Sequence, residues 1–519
     1  MSSLPRLSAT TLADLSRTGL PPAVSPPADL NRASAPGIVH LGIGAFHRAH
    51  QAVFTERAAA AAGDDRWGIH GVTQRSATVR DQLRPQDGLY GVLELSDAGT
   101  SLDLIGSIRD VLFPAEETAR VLDTIAAPTT HIVSLTVTEK GYRRAPQGGP
   151  DFADKALARD LEVLAREIDG GSDVDREAPS RSAIGLLLRA LTHRWQSGGE
   201  PLTVLVCDNL MDNGPQVESL AHAILDASPA TGASALLDWI RASVTFPATM
   251  VDRIVPKTTD DHRRAAEALL GATDAGLVVA EPFSQWVIQD RFAGPRPSWE
   301  TVGAQLTRNV SPYEHTKLRV LNGTHSFLAY AGALRGHALI ADAVADPELH
   351  AMARAMIDED AIPSLGAIDE IDLAAYRESV LERFANAAIG HTTVQIAMDG
   401  SQKLPIRFLG IARDRLAAGA VPHATSRAVA AWMLYVHATT SGQLDVAGAP
   451  VALDDPLASR LADAAAGSID GLADRLVTRS GIFPTALAED DRFLGAVRTA
   501  VREIASWTAE PAAVGRGSA

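Results

Sequence analysis

The sequence predicts an α/β protein in which a doubly wound parallel sheet domain is followed by a mostly α-helical C-terminal domain. From Gly37 to about Pro256, short apolar runs alternate with helical patterns, a rhythm typical of parallel strands joined by helices. The apolar runs are Ile38 to Leu41, His131 to Val137 and Leu202 to Cys207, and the helical patterns include Ser182 to Gln196 and Gln216 to Ala227. Beyond about Gln305 the patterns are helical: Lys317 to Leu334, Leu373 to Ala385, Ser426 to Val436 and Phe493 to Trp507.

A glycine pair follows the first apolar run. Gly42 and Gly44 stand between Ile38 to Leu41 and a helix-forming stretch from Ala49 to Ala62. Glycines at a strand-to-helix turn let the backbone approach the pyrophosphate of a dinucleotide. His47 occupies the place of the third glycine of that fingerprint, and a tight turn without a ligand would give the same pattern.

We therefore predict three segments. Residues 1–36 are rich in Ser, Pro and Ala and lack a sustained apolar run, so they are expected to form a surface extension and not a signal peptide. Residues 37–305 form a Rossmann-type dinucleotide-binding domain, and residues 306–519 form a helical substrate and catalytic domain.

Four polar residues recur at close spacing near the start of the helical domain: Glu314, Lys317, Asn322 and His325. At about 100° per residue, an α-helix with Lys317 at 0° places Glu314 at about 60°, His325 at about 80° and Asn322 at about 140°. The four side chains would then share one sector. A solvated polar face gives the same pattern, so the spacing leaves both readings open.

The residue types favour acid–base chemistry. A lysine acts as a general base if its pKa falls from about 10.4 toward roughly 7 to 8, which burial and a neighbouring cation such as Arg319 or a protonated His325 can cause. Asparagine amide and imidazole N–H groups can donate to an oxygen that gains negative charge. This combination suits carbonyl reduction or alcohol oxidation with a hydride cofactor.

Motifs along most of the chain resemble those of the mannitol dehydrogenase family of long-chain polyol dehydrogenases, which includes mannitol 2-dehydrogenase and fructuronate reductase. They occur in the family's order: 42–51, 134–142, 207–209, 250–256, 281–286, 313–325 and 398–403. The resemblance implies a two-domain fold with the active site between the domains.

The resemblance implies a role for each matched position. Lys317 is the general base, Asn209 and Asn322 hydrogen-bond the developing alkoxide, His325 positions the reacting oxygen, and Glu314 passes protons to solvent. Asp252, Gln395 and Lys403 correspond to substrate-binding positions. The cofactor-binding set comprises Ile38, Gly42, Ile43, Gly44, Ala45, Phe46, His47, Arg48, Arg75 and Glu139.

Two departures from the family pattern concern specificity. Relatives that prefer NAD carry an acidic residue after Arg75-Ser76, where this chain has Ala77 and Thr78, so NAD(H) is favoured and NADP(H) stays open. Mannitol 2-dehydrogenase has an arginine at the position of Gln395, and the residues of several motifs are more similar to those of fructuronate reductase. A uronate substrate requires cations, for which Lys140, Arg319, His391 and Lys403 are candidates.

Composition excludes several other classes of function. The chain has 519 residues, 47 basic and 63 acidic, and its net charge of −16 argues against nucleic-acid or anionic-membrane partners. No run approaches the ~20 apolar residues of a membrane span. Cys207 is the only cysteine and is expected to be a buried strand residue, which fits the cytoplasm. His40, His47 and His50 lack the further ligands of a zinc site, so no metal is predicted.

The sequence thus predicts a zinc-independent, NAD-dependent secondary-alcohol dehydrogenase, a monomer or weak oligomer, acting on a sugar acid or polyol. D-fructuronate and D-mannonate are the favoured pair, and mannitol or arabinitol oxidation is the alternative. A protein that binds NAD and sugar acids as a sensor, without turnover, is the alternative outside enzymes.

Overall fold

A computed structural model describes residues 4–28, 35–145, 148–170, 175–366, 368 and 370–506, and at 139 and 140 it describes the backbone alone. Its internal contacts divide the chain into Met1–Ser311, here called unit 1, and Pro312–Ala519, here called unit 2. The division lies a few residues beyond the boundary predicted at 305.

Unit 1 combines strands and helices. Its strands are β1 (Val24–Ser25), β2 (Ile38–Leu41), β3 (Ile69–Val72), β4 (Tyr90–Ser96), β5 (Gly99–Ile105), β6 (Ile108–Leu112), β7 (Ile132–Leu135), β8 (Leu202–Val206), β9 (Val244–Thr245), β10 (Thr249–Asp252), β11 (Val278–Ala280), β12 (Gln285–Gln289) and β13 (Gln305–Thr307). Its α-helices are α1 (Ala9–Thr18), α2 (Ala45–Ala49), α3 (Gln51–Ala62), α4 (Thr78–Leu83), α5 (Pro114–Ala126), α6 (Lys155–Ile168), α7 (Ala183–Gln196), α8 (Asn213–Asp226), α9 (Ala233–Ser243) and α10 (Asp260–Leu270). Short 3-10 helices span Asp65–Trp67, Arg84–Gln86, Glu139–Tyr142 and Trp299–Val302.

The main sheet confirms the doubly wound prediction. Its strand order is β6-β3-β2-β7-β8-β9, and every neighbouring pair is parallel. This is the order of a Rossmann sheet, in which the chain reverses its direction of travel between β2 and β7. Ligands of such sheets bind at the carboxyl ends of the strands at that point.

Two further sheets were not predicted. β4 and β5 form an antiparallel hairpin within a sheet of order β1-β5-β4-β11, and β10, β12 and β13 form another sheet. β1 belongs to the predicted N-terminal extension, and its Val24 pairs with Leu102 of β5. The backbone N–H of buried Leu7 also donates to Thr273 O at 2.9 Å. The described part of the extension is therefore folded onto unit 1.

Unit 2 is helical, as predicted. Its α-helices are α11 (Ser311–Thr316), α12 (Gly323–Leu334), α13 (Ile340–Ala345), α14 (Pro347–Ala355), α15 (Ile362–Leu365), α16 (Leu373–Ala385), α17 (Thr393–Ala397), α18 (Gly400–Leu404), α19 (Gly410–Ala417), α20 (His423–Thr440), α21 (Ala458–Ala465), α22 (Leu472–Arg479), α23 (Thr485–Ala488) and α24 (Asp491–Ala505). Three π-helical segments, Lys317–Asn322, Met356–Ala361 and Pro405–Leu409, interrupt them. A 3-10 turn (Ala387–Ile389) and the two-residue strands β14 (Asp445–Val446) and β15 (Ala449–Pro450) complete the unit.

The core of unit 2 is built around two apolar helices. Every residue of α12 is buried, and α20 contributes a long buried run from Ala428 to Val436. α16 has the bounds predicted from the sequence, because Asp372 caps it by accepting from the N–H groups of Ala374 and Ala375. Within the described residues, no helix combines the length and the apolar character needed to cross a lipid bilayer.

Candidate functional site

The glycine turn after β2 has little space for side chains. Gly42 has φ +95°, and a Cβ atom there would lie 2.2 Å from the carbonyl oxygen of Thr136. The backbone N–H of Gly44 donates to Gly42 O at 2.6 Å, and α2 begins at the next residue. Gly44 itself is exposed. The turn lies at the carboxyl end of β2, where the strand order of the sheet reverses. Dinucleotides bind at this place in Rossmann sheets, with the pyrophosphate close to the glycine backbone.

A buried histidine supports this turn from below. The Thr136 hydroxyl donates to Gly42 O at 2.8 Å, so it must accept from Nε2–H of His40 at 2.8 Å. Nδ1 of His40 then accepts from the Ser134 hydroxyl at 2.8 Å. Burial lowers the pKa of His40 to about 3, so the ring stays neutral. His40 therefore connects β2 to the end of β7 through a fully satisfied imidazole.

Several predicted cofactor-binding side chains face the interior of unit 1. The ring of His47 stacks on His40 with 3.4 Å between centroids, and it lines an internal cavity with Ile38 and Gln51. Ile38 is the first residue of β2, at the end of the strand opposite the turn. Arg48 is buried and donates to the carbonyl oxygens of Gly44, at 3.3 Å, and of Gly276.

The rest of the turn divides into exposed and buried positions. Ala45 and Phe46 are partly exposed, whereas Ile43 is buried against Gly71 of β3. Nε2 of His50 donates to Gln285 O at 2.8 Å, because a carbonyl can only accept. His50 also interrupts the predicted helix with φ −127° and ψ −89°, which separates α2 from α3.

Arg75 and Arg80 follow β3 and differ in their surroundings. Arg75 is exposed. Arg80 contacts the carboxylates of Asp81 at 2.9 Å and Glu116 at 2.6 Å, and its guanidinium lies 5.7 Å from the centre of the Phe113 ring. The charge of Arg80 is therefore already matched by carboxylates.

Asn209 lies just beyond the carboxyl end of β8. It is exposed, and its neighbour Asp208 is buried. Asp208 accepts from the backbone N–H of Val137 and the hydroxyl of Tyr142, both on the segment that follows β7. Burial raises the pKa of Asp208 to about 7, against the lowering effect of the Tyr142 hydrogen bond. Asp208 thereby ties the loops after β7 and β8 together and holds Asn209 at this edge.

Three other residues of unit 1 were singled out from the sequence: Asp252, Glu139 and Cys207. Asp252 is buried at the end of β10. The side chain of Asn213 links β10 to the loop after β8, because its Nδ2 donates to Asp208 O at 2.9 Å and to Thr249 O at 2.8 Å. The side chain of Glu139 lies outside the described residues. Cys207 is buried, and burial raises the pKa of its thiol, as expected of a structural residue.

The predicted catalytic residues of unit 2 share one buried segment. Glu314 is in α11, Lys317 and Asn322 begin and end the first π-helix, and His325 is in α12. All four are buried, which excludes a solvated polar face.

The π-helix corrects the angles expected from a regular α-helix. The backbone N–H of Gly323 donates to Leu318 O, five residues earlier. In this wider turn, residues five apart such as Lys317 and Asn322 point in more similar directions than in an α-helix, where they are about 140° apart. Nδ2 of Asn322 and Nε2 of His325 have no hydrogen-bond partner among the described residues.

His325 is a neutral imidazole among cations. Its ring stacks on Phe384 with 4.7 Å between centroids and on His391 with 5.6 Å. Burial, assisted by His391, Arg407, Lys403 and Arg383, holds the pKa of His325 well below 6.5. The proposal that a protonated His325 lowers the pKa of Lys317 is therefore wrong.

The residues predicted to supply a cation for the substrate differ in the hydrogen bonds and ion pairs that they already form. Arg319 is buried, pairs with Asp414 at 2.5 Å and donates to both oxygens of Ser364, so it is not available to a ligand. Burial also lowers the pKa of His391, which is then neutral at pH 7. Lys403 is partly exposed, and its Nζ donates to Ile396 O at 3.1 Å and Met398 O at 2.5 Å. Gln395 is exposed on α17, and the Lys140 side chain lies outside the described residues.

Two residues of these sites were not predicted from the sequence. Asp208 is one of them, although an acid directly after a buried apolar strand is a signal for a loop anchor. Arg407, on the π-helix Pro405–Leu409, donates to Asn322 O at 3.2 Å and to the Ser326 hydroxyl at 2.6 Å. Nothing in the local sequence connects it to the Lys317 segment, more than eighty residues away.

Comparison with known proteins decides the family. The mannitol dehydrogenase Rossmann domain matches residues 36–301, and the mannitol dehydrogenase C-terminal domain matches residues 309–505. The chain belongs to the mannitol dehydrogenase family.

Two relatives show the range of this family. The chain is 40% identical over 475 residues to D-mannonate oxidoreductase of Escherichia coli, covering 90% of this chain and 93% of that protein. It is 33% identical to the structure of Pseudomonas fluorescens mannitol 2-dehydrogenase in a ternary complex with NAD and D-mannitol, with a TM-score of 0.81 over 97% of this chain and 99% of that one. This family consists of oxidoreductases that act on CH–OH groups of polyols and sugar acids. Among the described residues, no group of three or more His, Cys, Asp or Glu side chains is arranged to hold a metal ion.

Proposed function

We propose that this protein is a zinc-independent, NAD(H)-dependent oxidoreductase that interconverts D-fructuronate and D-mannonate, with Lys317 as its general base. The observation that carries the proposal is the burial of Lys317, Asn322 and His325 together on one continuous helical segment, formed by the first π-helix and the start of α12. Burying three polar side chains costs free energy unless they serve a ligand or each other. Two of them keep a polar atom without a partner among the described residues.

The proposed reaction divides its work among these groups. In the oxidation direction the neutral amine of Lys317 takes the proton of the reacting hydroxyl. A nicotinamide cofactor held at the Gly42–Gly44 turn would supply the acceptor for the hydride of the carbon that bears this hydroxyl, and that carbon would become the carbonyl. Nδ2–H of Asn322 donates to the oxygen as it gains negative charge, and the neutral ring of His325 orients it. The family resemblance adds two proposed roles, a second amide donor for Asn209 and the transfer of the proton of Lys317 toward solvent for Glu314.

Residues of unit 1 favour NAD(H) over NADP(H). A 2′-phosphate needs cations, and Arg80 is already paired with Asp81 and Glu116. Of Arg75 and Arg80, which both follow β3, only Arg75 is exposed. The similar mannitol 2-dehydrogenase is described with NAD. Gly42, Gly44 and the strand order fit such a dinucleotide.

Mannitol or arabinitol oxidation is the second candidate. It draws support from the likeness to mannitol 2-dehydrogenases. The first candidate draws support from the 40% identity to D-mannonate oxidoreductase and from the basic side chains around His325. The proposal places the enzyme in the cytoplasm as a monomer or weak oligomer.

A substrate panel tests the proposal. Purified protein is assayed with fructuronate and fructose plus NADH or NADPH, and with mannonate, altronate, mannitol and arabinitol plus NAD or NADP. We expect the highest kcat/KM for fructuronate with NADH. A higher value for fructose or mannitol would leave only the family assignment standing, and binding without turnover would favour a sensor.

A further inference from the structure

Four basic side chains of unit 2 influence the pKa of His325, and the ring of one of them, His391, stacks on it with 5.6 Å between centroids. Arg383, His391, Lys403 and Arg407 each act on its pKa, and all of them lower it. Among the described residues, the largest charge effects on His325 all come from basic side chains. A neutral polyol gains nothing from such an environment, whereas an anion does.

The basic side chains of this cluster are not equivalent, because Lys403 already has hydrogen-bond acceptors, His391 is neutral, and Arg383 is buried and has interactions of its own. The ammonium of Lys403 donates to two carbonyl oxygens, and Asp399 and Asp455 act to raise its pKa. His391 is neutral at pH 7. Arg319, the other candidate cation of unit 2, is paired with Asp414.

Arg407 differs because its partners are neutral. One of its terminal nitrogens donates to Asn322 O at 3.2 Å and to the Ser326 hydroxyl at 2.6 Å. Within the part of the chain that the structure describes, it forms no ion pair with Asp or Glu. The residue is partly exposed, although its guanidinium lies in largely buried surroundings. Burial lowers its pKa to about 10, which still leaves it charged at pH 7.

A guanidinium in low-polarity surroundings is stabilised most by a carboxylate, whose two oxygens match its planar N–H groups. The bond to Ser326 places Arg407 beside the residue that follows His325. We propose that Arg407 binds the carboxylate of the sugar-acid substrate while His325 and Asn322 hold its reacting oxygen. This inference rests on the proposed function and names the residue that makes it specific for an acid.

The experiment compares a charged and a neutral ketose. kcat/KM for fructuronate and for fructose is measured with NADH in the unmodified enzyme, Arg407→Met and Arg407→Lys. Arg413→Met is the control, because Arg413 is an exposed arginine on the following helix, α19. Arg407→Met should lower kcat/KM for fructuronate about ten- to 150-fold, the range of a charge-assisted hydrogen bond, and change that for fructose less than about threefold. Arg407→Lys should recover part of the loss, and Arg413→Met should change neither value.

Equal losses on both ketoses would overturn the inference, since Arg407 would then act only by supporting Asn322. The proposed function would survive that result, because it fails only if the unmodified enzyme does not favour fructuronate. If the Arg407 variants do not fold, phenylglyoxal modification of the unmodified enzyme with bound NADH is read by mass spectrometry at Arg407. Protection by mannonate but not by mannitol supports the inference, and equal modification with both overturns it.

Discussion

At the residue scale, the buried polar atoms of unit 2 show where chemistry is possible. Asn322 and His325 each present a polar nitrogen without a partner among the described residues. Such an atom costs about 1 to 3 kcal/mol of stability, which a bound substrate oxygen recovers. Burial keeps His325 neutral, so in the proposed reaction it would orient the substrate without adding a positive charge to the site.

Lys403 gives a prediction about pH. Burial, followed by the charge of Arg407, lowers its pKa from 10.5 to about 8. The ammonium is therefore present below pH 8 and is lost above it. The charge of Lys403 favours an anion in this basic cluster although its ammonium donates to two carbonyl oxygens, so the dissociation constant of mannonate in its complex with enzyme and NADH should rise as the pH increases through about 8. Titration calorimetry at several pH values measures this.

Two variants make the pH prediction specific. Lys403→Arg keeps the charge throughout and should flatten the dependence, whereas Lys403→Met should bind mannonate weakly at every pH. Mannitol binding should show no such dependence in any of them. An unchanged pH profile in Lys403→Met would assign the titration to another group.

At the element scale, the first π-helix is the feature on which the site depends. Arg319 anchors it by donating to Ser364 of α15 and by pairing with Asp414 of α19. These contacts are local to unit 2 but distant in sequence. They hold the widened turn that carries Lys317 and Asn322.

Arg319→Met should destabilise the protein by about 1 to 3 kcal/mol, because several hydrogen bonds to a charged group are lost from a buried position. The expected loss of stability is small for a buried arginine because Asp414 is partly exposed, so solvent screens the ion pair. Arg413→Met is a matched control, since Arg413 contacts the same carboxylate at 2.9 Å from an exposed position. It should cost less than about 0.5 kcal/mol. Urea unfolding measures both, and equal losses would show that the burial of Arg319 contributes nothing.

The elements also show what sequence patterns reveal. The bounds of α16 and the apolar strands β2 and β8 follow from local signals, namely a capping Asp372 and short β-branched runs. The π-helix follows from packing against other segments, and no residue spacing marks it. The sheet containing β1 likewise depends on pairing Val24 with Leu102, across a long stretch of chain.

The same limit applies to individual site residues. Gly42 and Lys317 were found because a motif of fixed spacing surrounds them. The inward orientation of His47 depends on stacking with His40, and the pairing of Arg319 depends on Asp414. Arg407 was missed because its neighbour in space, Ser326, is far from it in sequence.

At the scale of the whole molecule, the chain separates its tasks between two units. The described cofactor-turn residues lie in Met1–Ser311, and the predicted base lies in Pro312–Ala519. Each unit has its own hydrophobic core. We expect a fragment of residues 1–311 to bind NADH without catalysing turnover. Fluorescence titration with NADH tests this on a fragment that circular dichroism shows to be folded, and a folded fragment without NADH binding would contradict it.

Lys317 is proposed to be the general base of a hydride-transfer enzyme. The most direct measurement is the turnover of Lys317→Ala at saturating substrate and NADH, beside Lys257→Ala, an exposed lysine in unit 1, as control. Turnover of Lys317→Ala should fall by about two to four orders of magnitude with NADH binding unchanged, and small primary amines should restore part of it. Lys257→Ala should behave like the unmodified enzyme. Near-normal turnover of Lys317→Ala would contradict the account.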